Sequence, residues 1–235
     1  ASRGKVKTAN KVIDKHLGRN WGISPKLKHI KPVKSMSWTI LFSKKYIRQT
    51  LVGGLFYACQ AFAFFGISIF LPILLQSMNI NNQAVSGILY NGGMFIGVLL
   101  GIIIFNRISR RSFLINNFLF SEILIGILAL MPQISSILKL LVFSVFSIVL
   151  SSGLVLDYSY PTELFDIKVR ATGVGTCITI SRIGAAAGTF LLPILTDVGG
   201  AGLAMLVCAG VLLFAFLICL IWAPETSPKF IKNTK

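Results

Sequence analysis

The first residue of chemical interest in this sequence is an arginine in the middle of a long apolar run. Arg182 lies twelve residues after Arg170, which places it roughly 18 Å further along a continuous helix. A charge at that depth in a membrane is costly unless it is paired or hydrated. Thr172, Thr176 and Thr179 share its helical face. Arg182 and Thr179 are therefore predicted to contact an anionic ligand, with a structural ion pair at Arg182 as the alternative.

Two carboxylic acids lie in other apolar runs. Asp157 lies late in its run and is predicted either to pair with Arg182 or to exchange a proton. Its alternative role is that of a residue in contact with water at the end of a helix. Glu122 lies in the middle of its run, where it is a second candidate for proton coupling or charge pairing. A structural, protonated role is the alternative for Glu122.

The apolar runs are long enough to cross a bilayer as helices. A hydrocarbon core of roughly 30 Å takes about 20 apolar residues. The 235-residue chain is 54% hydrophobic and 13% charged, and its runs lack the alternation of barrel strands. The sequence therefore predicts an all-α membrane protein, a bundle of six transmembrane helices at about 50–75, 84–105, 113–131, 137–158, 171–193 and 202–222.

Basic residues occupy the segments between alternate runs. Of the 23 Lys and Arg residues, 21 fall before residue 50, within Arg107–Arg111, at Lys168 and Arg170, or after residue 228. The intervening loops at 76–83, 132–136 and 196–201 hold none, although Lys139 flanks one of them. The positive-inside rule then predicts that both termini are cytoplasmic. The net charge of +16 is attributed to topology and to anionic lipid headgroups rather than to nucleic acid.

Metal, cofactor and catalytic chemistry find little support in the sequence. The four cysteines lie in apolar runs at no metal-ligand spacing, and both histidines precede residue 30. No Ser or Cys nucleophile is spaced to suggest a triad, and the Gly-rich stretches lie inside spans rather than after a strand. We therefore predict no enzyme activity, no metal, no cofactor and no nucleic-acid partner.

Polar segments flank the predicted spans. Residues 1–49 are expected to form a basic cytoplasmic segment with an amphipathic helix at 5–17 and an interfacial helix at 37–45. Residues 223–235 are expected to form a cytoplasmic tail. Because the chain begins with Ala rather than Met and has no signal peptide, we expect a fragment or a processed product.

The stretch Glu163–Gly175 reads Glu-Leu-Phe-Asp-Ile-Lys-Val-Arg-Ala-Thr-Gly-Val-Gly. It resembles the loop after helix ten in the sugar-porter and metabolite–proton symporter branches of the major facilitator superfamily, with Asp166 where the family usually has Pro. Arg107–Arg111 resembles the basic loop between helices eight and nine, with Asn106 in place of its acid. Pro224-Glu225-Thr226 resembles the family's ending. The resemblance implies helices seven to twelve, with the amino-terminal six-helix half missing.

The resemblance also implies roles for individual residues. Helices seven and eight border the cavity in relatives, and an arginine at the place of Arg182 faces the substrate path in anion-transporting relatives. The implied substrate contacts are therefore Arg182, Tyr57, Gln60, Asn91 and Thr179. A cytoplasmic gate made of interhelical ion pairs is implied for Glu163, Arg170, Arg107, Arg110 and Arg111. Simple anchoring of the loops is the alternative for these gate residues.

These observations together predict a secondary transporter that works by alternating access. Its energy would come from an ion gradient, here assigned to protons, and its substrate would be a small organic solute, either an organic anion or a sugar. The protein is expected to be a multi-pass protein of the plasma membrane. Two alternatives stay open: a structural or sensing half-transporter that does not transport, and a membrane-embedded enzyme, which should cluster His, Asp or Cys at one interface.

Overall fold

The structure is a computed structural model that describes residues 38–77, 83–131 and 133–227. The amphipathic helix expected at 5–17 lies outside these residues. Within them, a 3₁₀ helix at Trp38–Phe42 precedes six α-helical elements: α1 Ile47–Ser77, α2 Gln83–Arg107, α3 Arg110–Leu130, α4 Ser136–Ser152, α5 Leu154–Leu164 and α6 Arg170–Trp222.

Long apolar helices make up almost all of this architecture. In the described ranges, five stretches are long and apolar enough to cross a membrane: Ile47–Ser68, Gly87–Arg107, Arg110–Leu130, Ser136–Leu164 and Arg170–Trp222. The last stretch has 53 residues, far more than the roughly 20 that one crossing needs. The prediction of an all-α membrane protein is confirmed.

The longest element, α6, is two helices joined at a single residue. Gly200 has φ 74° and ψ 175°, which are not helical values. A positive φ costs glycine little because it has no Cβ, so the chain can kink there without a separate loop. The loop expected at 196–201 is thus reduced to one glycine, and each side of it supplies one membrane-length helix.

Small residues allow the helices to approach closely. α1 packs most extensively against α6, whereas α2 packs mainly against α4. A Cβ at Gly184 would strike the carbonyl oxygen of Ala58, and a Cβ at Gly97 would strike that of Ile148. Dispersion between such closely packed surfaces drives helix association where lipid surrounds the protein.

The helix that begins at Ser136 is interrupted at Gly153, which separates α4 from α5. The N–H of Gly153 bonds to the carbonyl three residues back at 3.3 Å, the pattern of a tightened turn. Further on, Pro161 lies inside α5 and supplies no N–H for the carbonyl of Asp157. Asp157 therefore lies on a stretch of helix whose backbone hydrogen bonding is weakened on both sides.

Candidate functional site

A cavity of about 230 Å³ lies between α1, α5 and α6. Its wall is mainly apolar and includes the side chains of Phe64 and Phe65. The structure gathers four of the residues selected from the sequence in its lining, namely Tyr57, Gln60, Asp157 and Arg182. An apolar pocket with a few converging polar groups is the usual form of a small-molecule site.

Asp157 is buried, with 4% of its surface exposed. Within this bundle its carboxyl group lies in the lining of the cavity rather than on an exposed helix end. The side-chain amide of Gln60 lies 3.3 Å from Asp157 Oδ1. Among the residues described, no ion pair of 4.0 Å or shorter joins Asp157 to Arg182, so their predicted pairing is not present in this conformation.

Arg182 contributes the positive charge of the cavity. Its side chain is exposed within this bundle, and its guanidinium carbon lies 5.9 Å from the centroid of the Phe65 ring. That distance is within the range of a cation–π contact. Because the ring occupies only one face of the guanidinium group, the N–H donors of Arg182 remain able to bind an anionic group.

Three candidates lie away from this cavity. The exposed Asn91 donates its amide to the Gly87 carbonyl at 2.8 Å, and the exposed Thr179 donates its hydroxyl to the Gly175 carbonyl at 2.9 Å. Glu122 is half-buried on α3. None of the three lines the cavity, so the structure does not bring them together with Tyr57 and Gln60.

A second polar cluster lies where α2 ends and α3 begins. Arg110 Nε lies 3.5 Å from Glu163 Oε2, and the hydroxyl of Thr226 donates to the same oxygen at 2.5 Å. The guanidinium group of Arg110 also lies 3.3 Å from the centroid of the Phe105 ring and donates to the Phe105 carbonyl. Arg110 is thus the cation of Glu163 in this conformation.

Among the described residues, no ion pair joins Glu163 to Arg170. Arg170 Nε instead donates to the carbonyl of Phe165 at 3.3 Å, because both residues belong to the same short turn between α5 and α6. Arg107, the last residue of α2, is exposed. Arg111 donates to the Leu220 carbonyl at 2.8 Å and so ties α3 to the end of α6.

Glu225 lies at the centre of the same cluster. Its carboxylate accepts hydrogen bonds from the backbone N–H groups of Arg110 at 3.1 Å, Arg111 at 3.2 Å and Ser227 at 2.8 Å. Burial by itself would raise the pKa of Glu225, but these hydrogen bonds and one from Ser109 outweigh it, and the pKa is lowered. The Pro-Glu-Thr pattern marked this segment, but its contacts were not foreseen.

Asp166 joins the turn after α5 to the residues that precede α1. Tyr46 donates its hydroxyl to Asp166 Oδ2 at 3.0 Å, and Lys45 Nζ lies 3.4 Å from the same oxygen. The hydrogen bonds from Tyr46 and Lys45 lower the pKa of the Asp166 carboxyl group. The sequence carried a signal for this contact, since Asp166 stands where related chains have Pro.

Asn117 was not selected from the sequence. It is buried on α3, and its amide donates to the Val149 carbonyl at 2.5 Å and to Ser152 Oγ at 3.0 Å. These contacts lie directly before the break at Gly153. A pair of asparagines inside an apolar run was the signal that could have identified it.

Comparison with known proteins gives consistent results. The family model described as sugar (and other) transporter matches residues 1–234. The inner membrane metabolite transport protein YgcS of Escherichia coli (strain K12) is 31% identical over 229 residues, which cover 95% of this chain and 49% of that protein. The putative metabolite transport protein YaaU of the same organism is 29% identical over 189 residues, 79% of this chain and 43% of that protein.

The chain spans about half the length of these curated relatives. Both relatives are named as transport proteins. The long apolar helices of the present chain make it an integral membrane protein. The family model matches almost every residue, and the similarity to these relatives agrees with it. Together they assign the chain to a family. The chain belongs to the sugar (and other) transporter family of the major facilitator superfamily.

Proposed function

We propose that this chain forms the carboxy-terminal half of a proton-coupled secondary transporter whose substrate is a small organic anion. The observation that carries the proposal is the cavity in which Arg182 and Asp157 occur together. A cation and a buried carboxyl group in one apolar cavity provide for an anionic substrate and for a proton. The anionic substrate and the proton would bind together on one side of the membrane and be released together on the other side.

Arg182 supports an organic anion over a sugar. In the part of the chain described here, no carboxylate lies within 4.0 Å of its guanidinium group, and a carboxylate ligand would supply that partner with bidentate geometry. The phenol of Tyr57 and the amide of Gln60 offer additional hydrogen bonds. The rings of Phe64 and Phe65 would cover the apolar part of the solute.

Asp157 supports coupling to protons. Asp157 is buried in the cavity lining and has no cation within 4.0 Å among the described residues, so a bound proton would neutralise a charge that is costly inside the membrane. A change in accessibility during alternating access would then release that proton to the opposite side. Glu122 is a second candidate for this role, although it lies outside the cavity.

The cluster around Arg110 and Glu163 supports a gate. Their ion pair connects α3 to α5, and such an interhelical contact can form in one state and break in the other. The distribution of Lys and Arg in the sequence supports a cytoplasmic position for this cluster and for both ends of the chain. The similarity to an inner membrane transport protein supports the plasma membrane as the location.

Burial supports a partner half. Only 22% of the α2 span is buried in this bundle, compared with 72% of the α1 span. An alternating-access site lies between two halves. The exposed faces of α2 and of the first part of α6, which carries Arg182, would therefore line the remainder of the substrate path.

Uptake by the full-length protein in proteoliposomes tests this proposal. With an imposed pH gradient, a panel of carboxylates and sugars should identify a carboxylate that accumulates only when the gradient is present. Arg182→Ala should abolish this uptake, whereas Lys139→Ala, a cation outside the cavity, should retain it. Monodisperse elution of both variants in detergent would establish that they fold.

Three outcomes count against the proposal. Uptake that persists in Arg182→Ala would show that this residue does not bind the substrate. Uptake of sugars alone would show that the substrate is not an anion. A well-folded protein that transports no solute from the panel would favour the sensing or structural half-transporter.

A further inference from the structure

The side-chain amide of Gln60 lies between the carboxyl group of Asp157 and the break that separates α4 from α5. Gln60 is 1% exposed. One end of its amide lies 3.3 Å from Asp157 Oδ1. The other end lies 3.4 Å from the carbonyl oxygen of Leu150 and 3.2 Å from the backbone N of Leu154. One amide therefore contacts the buried acid and both sides of the break.

Ionised Asp157 fits only one orientation of this amide, and protonated Asp157 makes the opposite orientation available. An ionised carboxylate only accepts hydrogen bonds, so Gln60 Nε2 then faces Asp157, and Oε1 accepts from the N–H of Leu154. A protonated carboxyl group can donate to Oε1, which leaves Nε2 to donate to the carbonyl of Leu150. In one orientation Gln60 binds the N–H of Leu154, after the break, and in the other it binds the carbonyl of Leu150, before the break.

We propose that Gln60 is a positioning residue whose amide reverses its orientation when Asp157 gains or loses a proton, so that the proton is sensed at the Gly153 break. The inference rests on the proposed proton coupling and adds the residue that transmits it. No bond is formed or broken except that to the proton, which enters from water in the cavity.

The geometry of the break makes it sensitive to this exchange. A Cβ at Gly153 would lie 2.6 Å from Asn117 Oδ1 and 2.7 Å from Gln60 Nε2, so two amides enclose the turn. Asn117 holds the carbonyl of Val149 on one side. Since that contact does not depend on Asp157, the hydrogen bond of Gln60 is the one that changes with protonation.

Three other charged or titratable side chains share the cavity with Asp157. They are Tyr57 on α1, Tyr158 on the same helix and Arg182 on α6, all in the cavity lining. A bound anion would neutralise the charge of Arg182, and a bound proton would neutralise that of Asp157, so the loaded cavity would carry no net charge across the membrane.

Infrared difference spectroscopy of the full-length protein across a pH titration tests the proposal. Glutamine labelled with ¹³C and ¹⁵N in the side-chain amide separates its carbonyl band from the backbone. We expect the carboxylic band of Asp157 and the amide band of Gln60 to change with the same midpoint. Asp157→Asn should remove both changes, and Gln60→Leu should remove the amide change alone. Asn116→Leu, an exposed amide on α3, should remove neither.

The possible outcomes separate this inference from the proposed function. A carboxylic band that titrates while the Gln60 amide band stays constant overturns the inference and leaves proton coupling intact. The absence of any carboxylic band that depends on Asp157 overturns both. If Gln60→Leu does not fold, Gln60→Asn, which retains an amide but shortens its reach, supplies the assignment of the amide band.

Discussion

The carboxylate of Glu225 accepts a hydrogen bond from the backbone N–H of Arg110, which lies 115 residues earlier in the chain. Its second oxygen accepts from the next N–H, that of Arg111. One side chain thus satisfies two of the four N–H groups that a helix leaves unpaired at its beginning. Negative charge is also favoured at that end of the helix dipole. The segment after α6 therefore caps the first two N–H groups of α3, whereas the N-cap residue Ser109 accepts from the third, that of Ser112, at 3.1 Å.

Loss of this cap should lower the stability of the folded bundle. We expect Glu225→Ala to reduce the free energy of unfolding by about 1 kcal/mol, the usual cost of removing a capping side chain. Thermal unfolding in detergent would measure the change. Asp197→Ala removes an exposed acid and is the matched control; an equal loss in both variants would contradict the capping role.

The contribution of Glu225 should also depend on pH. Its pKa in the folded protein lies below the ordinary value of 4.5, so the ionised form is the one that stabilises the fold. The stabilisation is therefore present above the unfolded pKa and is lost as the pH falls through the folded pKa. Glu225→Gln should be less stable than the wild type at neutral pH, and the difference should vanish in acid. A difference that is independent of pH would exclude the charge as its cause.

Replacing either partner of the ion pair between Arg110 and Glu163 should lower the stability of the protein, but by different amounts. Arg110 also contacts the ring and carbonyl of Phe105, so we expect Arg110→Ala to destabilise the protein more than Glu163→Ala. A double-mutant cycle should give a coupling energy of about 1 kcal/mol between the two residues. Strict additivity of the two changes would show that the contact is energetically silent.

The contact between α1 and α6 should tolerate no side chain at Gly184. Gly184→Ala places a methyl group against the Ala58 carbonyl, and we expect a loss of roughly 1–3 kcal/mol from overpacking. Gly210→Ala has open space around it and should be neutral or stabilising. Comparison of the two unfolding temperatures checks the prediction, which fails if Gly184→Ala is tolerated equally well.

The cysteines of this chain should be unreactive in the folded protein. Cys59, Cys177, Cys208 and Cys219 are all unpaired and buried, and a thiol enclosed by apolar side chains reacts poorly. Peptide mapping after treatment with a membrane-permeant maleimide should find these four sites unmodified until the protein is denatured. Rapid labelling at any of them in the native state would place that residue on an accessible path.

The helices could be predicted because the information for them is local. A run of apolar residues of bilayer length forms a helix wherever it enters lipid, since its backbone has no other partner there. The joint at Gly200 was less visible. Its neighbours are also small or apolar, so composition indicated a loop where one residue with positive φ is sufficient.

The site was only partly predictable because it depends on how each helix is rotated and where it breaks. Tyr57, Gln60, Asp157 and Arg182 share a cavity, whereas Asn91 lies on an exposed face. Residue type alone does not distinguish these faces when both are apolar. The partner of Glu163 within the predicted gate set depends on packing in the same way: Arg170 is close in sequence, but α3 brings Arg110 close in space.

The connection between Glu225 and α3 has a consequence for biosynthesis. A ribosome completes α3 long before it reaches Glu225, so the N–H groups of Arg110 and Arg111 lack this partner when α3 first forms. Only after both helices of α6 have been made can the carboxylate reach them. Formation of this contact must therefore follow the synthesis of every helix in the bundle.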